Sequence, residues 1–227
     1  MKIFCCSDTH GEIPLSPYEV ESFCHAGDLY NYLGKKNYGV SEQDYAKMKN
    51  HRGLVEWKQK IPCPCYFVKG NHDCYDLYKV MDQDISEKIV QIADGLHLVG
   101  IGWSGSMYYD LPLERNIIPI CERLLDQAVA QLKQGDHTII LCHFPPYYSF
   151  YGQYNEGFYS KTMTKFVEAL RPLAVIQGHL HSFHGQAFSH EGTLLCFPGP
   201  KGMILEVDGE RVTAKRYQPA EKPDKAP

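Results

Sequence analysis

Ala174-Val175-Ile176-Gln177-Gly178-His179-Leu180-His181 is the stretch on which the reading of the chain turns. A short apolar, β-rich run ends in a glycine and then in two histidines two positions apart. In extended backbone, residues two apart point the same way, so both imidazoles can reach one ligand. Taken singly, this is the motif in the chain whose spacing best suits a metal. Four more polar clusters stand in the same relation to an apolar run. Asp8-Thr9-His10 follows 2–6, Gly27-Asp28 follows 22–26, Gly70-Asn71-His72-Asp73 follows 65–68, and His143-Phe144-Pro145-Pro146 follows 137–142. Each alone has an ordinary explanation as a turn, a cap or a loop histidine. Together they supply imidazole, carboxylate and amide oxygen in the number and kind that a pair of divalent ions needs. Two ions about 3.5–4 Å apart require a bridging group, for which a carboxylate is best suited. Asp28, alone in its cluster, is the natural candidate.

The gross numbers exclude several other classes. The chain has 227 residues, 44% of them hydrophobic, and a net charge of −4. It is long enough for one sizeable layered domain. Nothing global argues for nucleic acid or an anionic membrane. No run approaches the roughly 18–20 apolar residues of a membrane span. Met1 to Asp8 enters a strand at once, without the apolar stretch of a signal peptide, so the expected location is the cytoplasm. The nine cysteines are odd in number, and Cys5, Cys6, Cys24, Cys142 and Cys196 lie within apolar runs. They read as reduced, buried thiols. Cys63-Pro64-Cys65 with Cys74 lacks the usual C-x₂-C spacing and an obvious fourth ligand, which argues against a structural zinc.

Further apolar runs at 97–103, 185–188, 193–197, 203–207 and 212–217 read as strands, the last group joined by glycine-containing turns such as Asp208-Gly209. Helices are expected from a cap at Ser41 to about Lys60, over 116–132 where Ile117, Ile120, Leu124, Leu125, Ala128 and Leu132 recur at helical spacing, and from a Ser160 cap to about Leu170. Alternating strands and helices argue for an α/β layered fold, and the trailing hairpins for a mixed or second sheet. Polar clusters at the carboxyl ends of strands are where such folds build their sites. The chain reads as a single domain over 1–217 with a helical insertion near 30–60 and a disordered tail at 218–227, rich in Pro, Lys and Asp.

The five clusters in this order resemble the signature of the calcineurin-like metallophosphoesterases: D-x-H, G-D, G-N-H-[D/E], H, G-H-x-H. The resemblance spans roughly residues 3 to 200. It implies a four-layer αββα sandwich, two mixed β-sheets flanked by helices, with a dinuclear site at one edge. Carried over residue by residue, Asp8, His10, Asp28 and His181 would ligate one metal. Asp28, Asn71, His143 and His179 would ligate the other. His72 would approach the phosphoryl group, with Asp73 orienting it. The implied reaction is in-line attack of a metal-bound hydroxide on phosphorus. The cofactors are then two divalent metal ions, manganese favoured, with Fe, Zn, Ni and Co accepted by the same donors.

Asp28 is followed by Leu-Tyr-Asn-Tyr-Leu-Gly, without the acid and arginine of the protein Ser/Thr phosphatases. Leu141-Cys-His-Phe-Pro-Pro, the segment around Ser160-Lys161, and Phe197-Pro-Gly-Pro look more like small prokaryotic phosphoesterases related to the cyclic-nucleotide phosphodiesterases. The expected substrate is therefore a small phosphodiester or nucleotide. A phosphomonoesterase or a nuclease with the same metals is the enzymatic alternative, with nucleic acid not favoured. A silent scaffold of this fold is the non-enzymatic one. The turn at Pro198-Gly199-Pro200 is expected to close the back of the site. Eight aromatics between 144 and 159 are expected to pack their loop onto the body rather than stack a base. Lys35–Lys60 carries seven basic residues against three acids, a pattern read as a solvated helix face. His25 is expected to hydrogen-bond a ligand, and His184 to line the edge of the site.

Overall fold

Alternation along the strands decides which side chain covers which layer. The structure is a computed structural model that describes residues 1–15, 19–30, 51–73, 84–102, 114–152 and 158–218. In β1 (Lys2–Cys6), Ile3 and Cys5 point one way into one apolar cluster, while Phe4 and Cys6 point the other way into a second. One sheet has the order β11-β10-β1-β2-β3, using β2 (Ser22–His25), β3 (Cys65–Phe67), β10 (Met203–Asp208) and β11 (Arg211–Arg216). The other has the order β4-β5-β6-β7-β9-β8, using β4 (Lys88–Ala93), β5 (Leu96–Ile101), β6 (His137–Cys142), β7 (Ala174–Ile176), β8 (Gln186–His190) and β9 (Thr193–Phe197). Strands β1, β2 and β3 are parallel neighbours, as are β5, β6, β7 and β9. Antiparallel partners close both sheets, so each is mixed.

The two sheets face each other across Ile3, Cys5, Cys24, Leu98, Ile139, Leu141, Ile176 and Cys196, all under 1% exposed. Helix α1 (His51–Lys60) covers the outer face of the first sheet through Leu54 and Trp57. Helices α2 (Glu114–Gln131) and α3 (Lys161–Leu170) cover the outer face of the second through Ile117, Leu124, Met163 and Phe166. This is the four-layer sandwich expected from the family pattern. Ser160 caps α3, its side chain accepting from the Met163 N–H at 3.0 Å. The Glu114 carboxylate at the start of α2 accepts from the Lys161 and Thr162 N–H groups, tying the two helices together.

Two differences from the sequence reading have plain causes. Strand β4 is an edge strand with both faces half-exposed, so it lacks the alternation that marks a half-buried strand. Its hairpin turns at Asp94-Gly95, where Gly95 has φ +66°. Helix α2 is described from Glu114, two residues ahead of the first expected position, where its carboxylate holds the first N–H groups of α3. The expected stretch 41–50 of the basic helix, Cys74, Tyr154 and 219–227 lie outside the described residues. No helix among the described residues is long and apolar enough to cross a membrane.

Candidate metal centre

The parallel strands bring the polar clusters together. Asp8 and His10 follow β1, Asp28 follows β2, Asn71 and His72 follow β3, His143 follows β6, and His179 and His181 follow β7. Each sheet therefore presents its candidate ligands at strand carboxyl ends. The two sets then meet across the sandwich. The His179 N–H donates to Asp8 Oδ1 at 3.0 Å, and His143 Nε2 lies 2.9 Å from Asn71 Oδ1.

Backbone conformation shows what this convergence demands. Asp8, His10, Asp28 and His179 all have left-handed φ, between +47° and +67°. Such positions cost about 1–3 kcal/mol each and cluster where structure serves function. The glycines ahead of the ligands act by close approach. A Cβ on Gly70 would fall 2.0 Å from Asp28 Oδ1, and one on Gly178 would fall 2.8 Å from Asp8 Oδ2. Gly27 combines both demands: φ is +87°, and a Cβ there would fall 2.6 Å from His143 Nδ1.

Asp28 occupies the middle. Its Oδ2 lies 3.4 Å from His143 Nε2, 3.7 Å from His72 Nε2 and 3.9 Å from His10 Nε2. On one side, His181 Nε2 stands 3.4 Å from both Asp8 Oδ1 and His10 Nε2. On the other, Asn71 Oδ1 faces His143 Nε2 and, at 3.1 Å, His179 Nδ1. Three overlapping groups, Asp8–His10–His181, His10–Asp28–His72 and Asp8–Asp28–His143, each hold donor atoms within 4.8 Å of one another. Imidazole nitrogens aimed at each other and at one carboxylate oxygen fit shared cations better than they fit a closed hydrogen-bond network. All seven sequence-predicted ligands and His72 are brought together.

Electrostatics agree. Burial alone would raise the Asp8 carboxyl, but hydrogen bonds from His181 and His184 outweigh it and hold it well below the usual carboxylate range. Burial likewise opposes ionisation of Asp28, and His143 beside it prevails in the other direction. Burial pushes His143 down, but Asp28 overcomes this and lifts it to about 9. His179, buried and next to His143, is pushed down to about 3. Two ionised carboxylates thus sit in the interior, balanced by imidazolium, and metal binding would take over that balance as the protons leave.

Further hydrogen bonds hold the candidate ligands in place. His143 Nδ1 donates to Ala26 O at 2.8 Å, which orients the ring so that Nε2 faces Asn71 and Asp28. Asp73 Oδ2 accepts from the N–H groups of Asp28 and Gly70, both at 2.8 Å, and its Oδ1 accepts from Tyr30 at 3.1 Å. Asp73 therefore ties the Asp28 loop to the Asn71 loop through the backbone. Burial and the like charge of Asp28 push its carboxyl up to about 6. His25 reaches Thr9 Oγ1 at 3.0 Å rather than a ligand, so it steadies the residue between Asp8 and His10. His184 does reach the site: its Nε2 lies 3.1 Å from Asp8 Oδ2. Ser7, which the sequence reading missed, donates from Oγ to the same oxygen, and a serine beside an aspartate carries no distinctive signal.

Among the described aromatics of 144–159, Phe144, Tyr148, Tyr151 and Tyr159 are buried in the cluster under α2 and α3, as expected of packing residues. Tyr147 and Phe158 pack against the same cluster, Phe158 with its ring 5.5 Å from that of His179, while Phe150 is exposed. Cys63 and Cys65 are free thiols.

No curated protein sequence matches the chain significantly. Among solved structures, a dimetal phosphatase from Danio rerio aligns with a TM-score of 0.64 at 9% identity, over 96% of this chain and 99% of that one. The anchor protein GAP50 of the Plasmodium inner membrane complex aligns at 0.64 and 11% identity, over 95% and 84%. A putative 5'-nucleotidase from Staphylococcus aureus aligns at 0.58 and 13% identity, over 95% of this chain and 52% of that one. At these identities the likeness is one of fold. The family model of the calcineurin-like phosphoesterases matches residues 1–183. With the sandwich and the convergent donors in place, the chain belongs to the calcineurin-like phosphoesterase family.

Proposed function

We propose that the chain hydrolyses a small phosphodiester or nucleotide at a pair of divalent metal ions, with manganese the favoured ion. One observation carries this reading: Asp28 Oδ2 is faced by imidazoles from three separate loops at 3.4–3.9 Å, midway between two further donor sets. Asp8, His10, Asp28 and His181 would hold one ion, and Asp28, Asn71, His143 and His179 the other. Bound ions of this kind activate water and neutralise phosphoryl charge. The remaining work falls to side chains. His72, 23% exposed beside Asp28, would when protonated stabilise the phosphoryl charge or protonate the leaving-group oxygen. Asp73 positions the two loops that bear Asp28, Asn71 and His72. The diester preference is supported by the sequence around Leu141–Pro146 and Phe197–Pro200 rather than by the geometry of the metal ligands.

The test is metal content of the purified chain together with hydrolysis of bis-p-nitrophenyl and mono-p-nitrophenyl phosphate, with and without manganese. About two ions per chain and manganese-stimulated diester cleavage exceeding monoester cleavage is the expected result. Faster monoester cleavage would favour the phosphomonoesterase alternative, and bound metal with neither reaction would favour a narrow-specificity enzyme or the scaffold.

A further inference from the structure

A groove of about 570 Å³ adjoins the metal centre, on the side of His184. It runs between the His184-Gly185 turn, the Pro198-Gly199-Pro200 turn and the end of β11. His184 is shared by both places, since its ring lines the groove while its Nε2 contacts Asp8 Oδ2 at 3.1 Å. The second turn is also anchored to the centre, because Gly199 O accepts from the N–H of Ser7, one residue before Asp8.

The groove is built rather than incidental. Gly199 has φ +63°, and a Cβ there would fall 2.6 Å from the His184 ring, so only glycine leaves room for that imidazole. Gly185 has φ +75°, and a Cβ there would fall 2.9 Å from Arg216 Nε. The guanidinium lies on that glycine, its Nε donating to Gly185 O at 2.7 Å. This bond uses one of the five guanidinium donors and leaves the terminal nitrogens as a fork. Tyr217 is set by an edge-on contact with Phe4 and by its N–H to Gly202 O. Lys201 and Gln218 complete the polar lining, and no acid lines the groove among the described residues. Lys215, next along β11, points to the other face and pairs with Glu206 at 2.6 Å.

A held guanidinium fork, an ammonium, a phenol and an amide match a phosphate dianion. We infer that the groove is a second phosphate subsite, so that the substrate carries a further phosphate group besides the ester cleaved at the metals. This inference rests on the metal centre being a phosphoester site.

The test is calorimetric binding of alkane monophosphonates and of propane, butane and hexane bisphosphonates to the manganese-supplemented full chain. The expected result is that, at one spacer length, the bisphosphonate binds tighter than the monophosphonate by about tenfold or more. That preference should disappear in Arg216→Ala and Lys201→Ala, both solvent-exposed positions whose thermal melting serves as the folding control. Lys215→Ala should keep it. Equal binding at every spacer length, or a preference that survives the combined Arg216→Ala and Lys201→Ala change, overturns the subsite. Because phosphonates bind without turnover, failure of the hydrolysis assays would count against the proposed activity alone.

Discussion

Replacing Gly70 by alanine adds one methyl group at the tightest approach in the centre. The new Cβ would lie 2.0 Å from Asp28 Oδ1 and 2.4 Å from Asp28 N, where ordinary contact begins at 3.4 Å. Turning the carboxylate away cannot relieve the clash, since the backbone nitrogen is also in the way. The Asn71 loop must therefore separate from the Asp28 loop by about 1 Å or more. Asp73 Oδ2 resists that, because it accepts from the N–H groups of both Asp28 and Gly70. Overpacking of this kind costs about 1–3 kcal/mol, and a weakened hydrogen bond to a charged acceptor adds about 1.5–3 kcal/mol. Urea denaturation of Gly70→Ala should accordingly show a loss of about 3 kcal/mol or more. Displacing one ligand loop by about 1 Å should lower manganese-dependent kcat/KM roughly 100-fold, or about 2.7 kcal/mol of transition-state stabilisation. Gly192→Ala is the control. It has φ +86° with nothing within 4 Å of the added Cβ, so it should lose about 1–2 kcal/mol of stability from strain alone and keep its activity. If Gly70→Ala retained activity within about threefold of the parent, the claim that these two loops are held in contact to shape the site would be wrong.

Three other outcomes follow from the same geometry. His72→Ala should keep both ions by elemental analysis while kcat falls about 10²–10⁴-fold; loss of the metals would make His72 a ligand instead. His184→Ala removes the imidazole 3.1 Å from Asp8 Oδ2 and should weaken manganese binding about 10–100-fold by titration calorimetry, with His184→Gln recovering part of it. His25 is fully buried, and burial pushes it from 6.5 down to about 4. The unfolded chain therefore takes up this proton first as pH falls, and stability drops on acidification. Between about pH 7 and pH 5 that single group should account for about 2 kcal/mol. Denaturation of His25→Gln at both pH values should show a shallower decline by that amount, and an unchanged slope would mean that His25 is not held neutral.

Much of the fold was legible because its strands are short, apolar and closed by turn residues. Runs such as 137–142 and 193–197 match β6 and β9 end to end. The edge strand β4 escaped notice because a strand half-exposed on both faces has no period of two to read. The candidate ligands were legible for a different reason. Metal chemistry restricts residue type and spacing, so His179-x-His181 stands out singly, while Asp8-x-His10 is legible only as one of five clusters in series. Supporting groups are not restricted in that way. Any buried carboxylate could have bridged the Asp28 and Gly70 amides as Asp73 does, and any nearby donor could have served Asp8 as Ser7 does. What glycine does at 70 and 178 was equally hidden, since the reason is a carboxylate approaching from a distant strand.

The charge pattern explains why the sandwich has to meet at this edge. Asp8, His10, Asp28 and Asn71 come from the first sheet, while His143, His179 and His181 come from the second. Both buried carboxylates belong to the first sheet, and most of the imidazoles that hold them ionised come from the second. Asp8 is held ionised by His181 and by His184, which lies between β7 and β8 of the other sheet, and Asp28 by His143. An unpaired buried carboxylate is expensive, so the two sheets are held in register at their carboxyl ends by charge as well as by the apolar layer between them. Bound cations would strengthen that same link, because each proposed ion draws ligands from both sheets. Metal binding and the alignment of the sheets would then be linked. That coupling accounts for the left-handed strain at Asp8, His10, Asp28 and His179, which is offset where the two halves close on one another.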